Sequence, residues 1–332
     1  MKFGIIGSGS WATALAKILT DNGNSINWWI RNSETIGHIT QRRHNPHYLN
    51  AVYFDNNLLN MSSSLEYIIE ASGVLVVAVP SAYADDTLSA LNTDAFKGKK
   101  IVSAIKGILP GSNLLLNEYL AHNFNVDLQD YFAVLGPCHA EEVAAEKLSY
   151  LTFSGIDEAT ARTIAGHFKT DYLNTITNHD IMGVQYAAVL KNIYALGAGI
   201  AHGLDYGDNF LSVYIANAAD EMVRFLRKAR LDNNGESINY AASAYLGDLL
   251  VTCYSLYSRN RTFGNMIGKG YSVKVAQLEL SMVAEGYNAS RCMHLKSNEI
   301  GEYLPIADTV YNILWQQLPA VKAFNKIESL LV

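Results

Sequence analysis

The stretch from Phe3 to Gly23, FGIIGSGSWATALAKILTDNG, sets the fold of the N-terminal half. Its first four residues are apolar, as expected for a strand that is covered on both faces. A glycine-rich turn follows at once, and the residues from Ala12 onward place apolar side chains at helical spacing. Gly23 is positioned to end that helix. The pattern predicts a strand, a tight turn and a helix in direct succession.

The turn reads Gly-x-Gly-x-x-Ala over residues 7–12, which is the spacing of a dinucleotide-binding loop. Gly7 permits the tight turn, Gly9 lets a pyrophosphate approach the backbone, and Ala12 keeps the helix close to the strand. The N–H groups at the start of the helix attract phosphates. A glycine turn that binds no ligand is the alternative interpretation.

Further apolar runs predict an open parallel sheet for the N-terminal half, because stretches that can be helical precede the next two buried runs. The predicted strands are Ser25–Ile30, Val74–Val79, Ile101–Ile105, Phe132–Leu135 and, as the last one, Leu151–Ser154. The segments that follow the carboxyl ends of these strands are candidates for ligand binding. The expected fold of this half is an α/β Rossmann-like domain.

Arg31 follows the second predicted strand, at the place where NAD-preferring sites usually carry Asp or Glu. An arginine there can pair with a 2′-phosphate, so the sequence predicts that NADPH is accepted as well as NADH. A solvated surface arginine is the alternative.

Length and composition fit a globular protein with two domains. The chain has 332 residues, 49% of them hydrophobic, and a formal net charge of −6. The charge gives no indication of nucleic-acid binding, and no apolar run is long enough to span a bilayer. The three cysteines are far apart in sequence and form no CxxC pair, which predicts reduced thiols in a reducing compartment.

Two short groups of residues resemble sites but lack the features that a site needs. His44 and His47 have metal-ligand spacing, but Pro46 lies between them and no carboxylate cluster is near. Cys138 and His139 could form a nucleophile and base, but adjacent residues seldom point at each other. No metal is predicted.

The C-terminal half loses its strand signals after about residue 179, and residues 181–201 read as one almost wholly apolar helix. Within it Lys191 and Asn192 share a narrow arc with Gln185. Burial of a lysine is costly unless it is paired or neutralised, and burial shifts a lysine pKa toward the range of a general base. The alternative is a lysine that snorkels to the surface.

Asp248, like Lys191, is a lone charged residue in an apolar segment, because it is the only charge in the stretch 245–252. A buried carboxylate needs a partner, and Lys191 is the candidate. Ser258, Arg259, Asn260 and Arg261 follow shortly after. Two guanidiniums with two small polar groups suit an anionic, phosphorylated substrate. A solvated basic turn is the alternative.

Together these segments resemble the bacterial type of NAD(P)-dependent glycerol-3-phosphate dehydrogenase, almost end to end. The matching motifs, in the order of that family, are GSGSWATALA, HNPHYL, SAIKGI, GPCHAEEVA, AVLKNIYALGAGI, GLDYGDN, GDLLVTC, SRNRTFG and VAEGYNAS. The resemblance implies a Rossmann domain, expected over residues 1–178, and an all-α domain like that of 6-phosphogluconate dehydrogenase, expected over residues 179–332. It also implies reversible reduction of dihydroxyacetone phosphate to sn-glycerol 3-phosphate for phospholipid synthesis.

The resemblance also implies roles for individual residues. Lys191 matches the catalytic base and Asp248 the aspartate that assists it. Positions that match substrate contacts are Lys106, Gly136, Cys138, Asn192, Ser258, Arg259 and Asn260. Positions that match cofactor contacts are Gly7, Gly9, Ser10, Trp11, Arg31, Tyr48, Lys106, Ala140, Arg259, Val283 and Glu285.

The chain departs from the family's pattern at three places: Cys138-His139 stands where the family has Ser-Phe, Ala-Tyr-Leu replaces a glycine-rich segment before Asp248, and AEGYNAS replaces the usual VEG-V-T ending. Two rival functions stay open at this point. One is a related dehydrogenase of the β-hydroxyacid group with a carboxylate substrate, and the other is a nucleotide-binding sensor without turnover. The partner expected in either dehydrogenase case is a small molecule, and a homodimer is a possible assembly.

Overall fold

The computed structural model describes residues 1–229, 238–280 and 283–332. They group into two compact units, one formed by residues 1–105 and 114–181 and the other by residues 106–113 and the described residues from 182 onward. The border predicted at residue 178 stays a prediction, and the short segment 106–113, which contains Lys106, groups with the helical unit.

The first unit is an eight-stranded sheet with the order β3-β2-β1-β4-β5-β6-β7-β8. All neighbouring strands are parallel except β6 and β7, which are antiparallel. The strands are β1 (Phe3–Ile6), β2 (Ile26–Trp29), β3 (Leu59–Ser62), β4 (Val74–Val77), β5 (Lys100–Ser103), β6 (Tyr131–Leu135), β7 (Ser149–Ser154) and β8 (Leu173–Asn178). The predicted Rossmann-like domain is confirmed.

Two strands were not predicted from the sequence. β3 and β8 form the two edges of the sheet, where a strand buries little of its surface. Their sequences, LNMS and LNTITN, are accordingly polar and half-exposed. The prediction that the strand at 151–154 is the last one was therefore wrong, because a buried apolar run marks only interior strands.

Seven helices accompany the sheet in the first unit: α1 (Ser10–Asp21), α2 (Ser33–Arg42), α3 (Leu65–Ala71), α4 (Ser81–Leu88), α5 (Leu116–Phe124), α6 (Ala140–Ala144) and α7 (Glu158–Phe168). α1 packs on α6 and α7. Its Lys17, which is buried, donates to Glu146 at 2.9 Å and also pairs with Asp21. Burial alone would lower the pKa of Lys17, but these carboxylates and Tyr172 raise it above its usual value, so the ammonium fastens α1 to the segment after α6.

The named elements of the second unit, in its described residues, are helices. Its helices are α8 (Ile181–Gly203), α9 (Asp208–Ala229), α10 (Asp248–Tyr254), α11 (Arg259–Gly268), α12 (Val273–Glu279), α13 (Glu285–Ile300), α14 (Pro305–Trp315) and α15 (Ala320–Glu328). A π-helical turn, Ser243–Gly247, leads directly into α10. Among the described residues, no helix is both long and apolar enough to cross a membrane.

Glycines let α8 and α11 approach at backbone distance. A Cβ added at Gly264 on α11 would overlap the carbonyl oxygen of Leu196 on α8, and one added at Gly199 would overlap the carbonyl oxygen of Arg261. The close approach fixes the start of α11 beside the middle of α8, which carries the predicted catalytic lysine.

Candidate active site

Lys191 and Asp248 form the predicted ion pair. The ammonium of Lys191 on α8 bonds Oδ1 of Asp248, the first residue of α10, and the two residues are 3% and 1% exposed. The snorkelling alternative is excluded by this burial. The second carboxylate oxygen of Asp248 is buried and has no hydrogen-bond partner in the described part of the chain.

Thr252 belongs to the same group but was missed by the sequence analysis. Its hydroxyl lies one turn after Asp248 on α10 and donates to the Asp248 carbonyl oxygen at 2.6 Å, with Oδ1 at 3.4 Å. Both bonds hold the start of α10 in place and so orient the carboxylate. The i, i+4 spacing of a threonine after a lone aspartate was the signal available in the sequence.

Asn192 links three segments that are distant in sequence. Its Nδ2 donates to the carbonyl oxygen of Lys106 at 2.8 Å, and its Oδ1 accepts from Nδ2 of Asn260 at 2.9 Å. Oδ1 of Asn260 in turn accepts from the backbone N–H of Gly286 at 2.9 Å. An added Cβ at Gly286 would lie 2.5 Å from the Asn192 carbonyl oxygen, so glycine is required there. The network joins the Lys106 segment, α8, α11 and α13.

The Ser258-Arg259-Asn260 motif forms the beginning of α11. Ser258 is buried and caps the helix by accepting the N–H of Arg261 at 3.3 Å, while Arg259 is half-buried in the first turn. That turn contains no acidic residue. A helix start with a guanidinium and no carboxylate favours an anion, and binding of the substrate phosphate there stays a prediction.

The glycine loop has the form that a pyrophosphate needs. Gly7 has a φ of 126°, and a Cβ there would lie 2.9 Å from the Ala78 carbonyl oxygen. Gly9 is the N-cap of α1, and nothing lies within 4 Å of where its Cβ would be. The first turn of α1, which Ser10 and Trp11 begin, has no acidic residue. This open, backbone-lined helix start fits a dinucleotide phosphate.

The remaining predicted cofactor positions occupy separate segments. Tyr48 is half-buried, and its N–H is held by Oδ1 of Asn45 at 3.3 Å. Arg31 is exposed just past β2 and lines a cavity of about 260 Å³ with Trp29, Ser63 and Tyr83. Val283 and Glu285 lie at the start of α13 in the helical unit.

The loop after β6 holds Gly136, Cys138 and Ala140. Gly136 has a φ of 148°, and an added Cβ would lie 2.5 Å from the Tyr150 carbonyl oxygen. The thiol of Cys138 donates to that same oxygen at 3.1 Å and belongs to the apolar core of the sheet unit. Ala140 is buried as the first residue of α6. A substrate contact at Cys138 would therefore involve its backbone and not its sulfur.

Comparison with known proteins decides the family. Residues 2–161 match the model of the NAD-dependent glycerol-3-phosphate dehydrogenase N-terminus, and residues 180–325 match that of its C-terminus. The chain belongs to the NAD-dependent glycerol-3-phosphate dehydrogenase family. Its members are NAD(P)-dependent oxidoreductases that act on a CH–OH group, and the resemblance that the motifs indicated is confirmed.

Full-length relatives agree with this assignment. The chain is 34% identical to the glycerol-3-phosphate dehydrogenase [NAD(P)+] of Chlorobium chlorochromatii, over 97% of this chain and 96% of that protein. It is 32% identical to the enzyme of the same name from Lacticaseibacillus paracasei, over 96% and 92%. The crystal structure of glycerol-3-phosphate dehydrogenase from Coxiella burnetii matches with a TM-score of 0.88 at 25% identity, over 98% of both chains.

Proposed function

We propose that this chain catalyses the reversible NAD(P)H-dependent reduction of dihydroxyacetone phosphate to sn-glycerol 3-phosphate, which supplies glycerophospholipid synthesis. The observation that carries the proposal is the buried Lys191–Asp248 pair beside the Asn192–Asn260 network. A buried ion pair contributes little to stability by itself, since desolvation offsets most of the attraction. Its retention inside an apolar helix is better explained by proton transfer.

The proton in this reaction moves through Lys191. In reduction the ammonium of Lys191, which pairs with Asp248, donates its proton to the ketone oxygen. In the reverse direction the neutral amine accepts the proton of the C2 hydroxyl. Asp248 holds the direction of the Nζ–H bonds, and Thr252 holds Asp248. The nicotinamide cofactor supplies or takes up the hydride when bound.

Lys106 and the α11 start position the substrate. Asn192 fixes the Lys106 carbonyl oxygen and thereby the segment from which the Lys106 ammonium extends. That ammonium, with the second Nδ2 hydrogen of Asn192, polarises the ketone oxygen. Arg259 and Asn260 bind the phosphate, and Ser258 keeps their helix turn in place. Holding the phosphate sets the distance from C2 to the proton donor.

The glycine loop of residues 7–12 would hold the cofactor pyrophosphate, and Arg31 would hold the adenosine ribose or its 2′-phosphate. Because the place usually taken by an acid holds an exposed arginine, both NADPH and NADH are accepted. Tyr48, Ala140, Val283 and Glu285 are proposed as further cofactor contacts.

The experiment is to mix purified protein with dihydroxyacetone phosphate and follow the oxidation of NADPH and, separately, of NADH. Rapid oxidation that Lys191→Met abolishes supports the proposal. Oxidation with 2-keto acids but not with the phosphate ketone would point to a carboxylate-specific dehydrogenase. Cofactor binding without any turnover would point to a sensor.

We propose a cytoplasmic location and a small-molecule substrate as the partner. Cys138, Cys253 and Cys292 are buried free thiols, as a reducing compartment maintains. Burial raises the pKa of Cys253 to about 12 and that of Cys292 to about 11, which keeps both thiols protonated and unreactive. A homodimeric state is a prediction for sedimentation analysis, and lack of nucleic-acid binding is a prediction for a gel-shift assay.

A further inference from the structure

Three consecutive carbonyl groups of the glycine loop each accept a hydrogen bond from a side chain. The Gly7 oxygen accepts from the indole Nε1 of Trp28 at 2.7 Å. The Ser8 oxygen accepts from Nδ2 of Asn45 at 3.1 Å. The Gly9 oxygen accepts from the hydroxyl of Thr13 at 2.9 Å. We name Trp28, Asn45 and Thr13 the carbonyl brace.

The brace is rigid because its members are buried and linked. Trp28 and Asn45 are both 0% exposed. Nδ2 of Asn45 also donates to the Thr13 hydroxyl at 2.9 Å, and that hydroxyl donates to the Gly9 oxygen. Asn45, Thr13 and Gly9 are therefore joined by consecutive hydrogen bonds. The indole of Trp28 packs edge-on against Phe54, with ring centroids 5.3 Å apart.

Hydrogen bonds between Arg43 and Phe54 join the two ends of the segment that carries Asn45. Arg43 and Phe54 exchange two bonds, Phe54 N to the Arg43 oxygen at 2.7 Å and Arg43 Nε to the Phe54 oxygen at 2.9 Å. Oδ1 of Asn45 accepts the N–H groups of His47 and Tyr48. Asn45 is thus the point at which this closed segment attaches to the glycine loop.

Fixing a carbonyl fixes the opposite side of its peptide group. In a trans peptide the C=O and the following N–H point in opposite directions, and no cis peptide is found in the described residues. Holding the oxygens of Gly7, Ser8 and Gly9 therefore turns the N–H groups of Ser8, Gly9 and Ser10 away from the brace. A Cβ added at Gly9 would have no atom within 4 Å, so the loop leaves space at this position.

We propose that the carbonyl brace is a set of positioning residues for the dinucleotide, which aims these N–H groups at its pyrophosphate before the cofactor binds. The inference rests on the proposed function, because it assumes that the glycine loop binds a nicotinamide dinucleotide. Preorganised donors lower the ordering cost of binding. The brace therefore acts on cofactor affinity and not on the proton-transfer step.

Near-isosteric substitutions remove one donor at a time. Trp28→Phe loses the indole N–H, Thr13→Val loses the hydroxyl, and Asn45→Asp keeps the acceptor for His47 and Tyr48 but loses the donors. Thr13→Ser is the conservative variant that retains the hydroxyl. Asn27→Asp is the matched control. Asn27 lies on the same strand as Trp28, and its Nδ2 donates to the Ala71 oxygen and not to the glycine loop.

The readouts are the Kd of NADPH and of ADP-ribose by calorimetry, kcat at saturating cofactor, and the melting temperature. We expect Trp28→Phe and Thr13→Val each to weaken both ligands by about tenfold, the value of one net hydrogen bond to the loop, with kcat changed less than about twofold. Asn45→Asp, which loses the bonds to both Ser8 and Thr13, should weaken them at least as much. Thr13→Ser and Asn27→Asp should bind as the unsubstituted protein does.

Three outcomes overturn the inference. One is an unchanged Kd in the Trp28 and Thr13 variants, another is an equal loss in Asn27→Asp, and the third is a fall in kcat with no change in Kd. If Asn45→Asp does not fold, the Trp28 and Thr13 variants still decide the matter. Failure of the unsubstituted protein to bind NADPH, NADH or ADP-ribose would instead contradict the proposed cofactor function, so the two failures are distinct.

Discussion

The ammonium of Lys191 pairs with Oδ1 of Asp248, while Oδ2 of the same carboxylate is buried with no hydrogen-bond partner in the described part of the chain. An unsatisfied carboxylate oxygen costs free energy in the folded protein. The pair therefore leaves an uncompensated acceptor beside the Lys191 ammonium, which supports the proposed role of Lys191 in proton transfer.

Substitutions in the Lys191–Asp248 pair should affect stability and activity differently. We expect Lys191→Met to lower kcat by at least about 100-fold and the free energy of unfolding by about 3 kcal/mol, because Asp248 becomes a buried unpaired charge. Lys191→Met combined with Asp248→Asn should regain most of the stability and none of the activity. Kinetics and thermal melting check both parts, and recovery of activity in the double variant would refute the role of Lys191.

Short sequence patterns were enough to predict the glycine loop and interior strands of the first unit and the charged pair of the second. The glycine loop and the interior strands are recognisable because their pattern lies within a few consecutive residues. Lys191 and Asp248 were recognisable because each is a lone charge in an apolar segment. The pairing of the two followed from the cost of an isolated buried charge.

Contacts between distant residues could not be predicted in the same way. Asn192 bonds the carbonyl oxygen of a residue 86 positions away, and Asn45 bonds the glycine loop 37 positions away. The sequence alone does not distinguish a solvent-exposed asparagine in a loop from a buried asparagine that bonds two distant segments. Lys106 likewise groups with the helical unit, and the bond from Asn192 to its carbonyl oxygen is one that no residue type reveals.

Glycine at the α8–α11 contact should be indispensable. Gly264→Ala places a methyl group on the Leu196 carbonyl oxygen, and we expect a loss of at least about 2 kcal/mol of unfolding free energy. Gly166→Ala on α7 is the control, because no atom lies within 4 Å of its added Cβ. That change should stabilise by roughly 0.5–1 kcal/mol. Equal effects at the two positions in chemical denaturation would contradict the close-approach argument.

Arg31 should set the preference between cofactors. We expect Arg31→Ala to raise the KM for NADPH by about tenfold, the worth of one charge-assisted hydrogen bond, and to leave the KM for NADH within about twofold. Each KM is measured by varying the concentration of that cofactor at a fixed concentration of dihydroxyacetone phosphate. Lys97→Ala, which changes a surface cation outside the proposed site, is the control for net charge. A parallel rise for both cofactors would mean that Arg31 has no selective contact with a 2′-phosphate.

Cys138→Ser restores the hydroxyl that the family usually carries at this position. Because the thiol donates to the Tyr150 oxygen within the core, we expect the serine hydroxyl to make the same bond. The KM for dihydroxyacetone phosphate should then change by less than about twofold. Steady-state kinetics decides between this expectation and a side-chain contact with the substrate, for which the KM would fall clearly.

Glu221 should make the stability of the helical unit depend on pH. Its carboxylate on α9 is buried, accepts the N–H groups of Ile306 and Ala307 at 2.8 and 3.0 Å, and accepts the hydroxyl of Tyr194. Burial raises its pKa from 4.5 to about 7 despite these hydrogen bonds, which lower it.

The folded protein therefore binds the Glu221 proton more tightly than the unfolded chain does, and the sign of the effect follows. The stabilisation from this group is fully present below about pH 4.5 and is lost as the pH rises through about 7, by roughly 3 kcal/mol in total. Glu221→Gln cannot titrate, so the difference in melting temperature between it and the unsubstituted protein should change between about pH 5 and about pH 8. The unsubstituted protein should lose stability relative to the variant at the higher pH. A difference that stays constant across this range would mean that Glu221 keeps one protonation state in the folded protein.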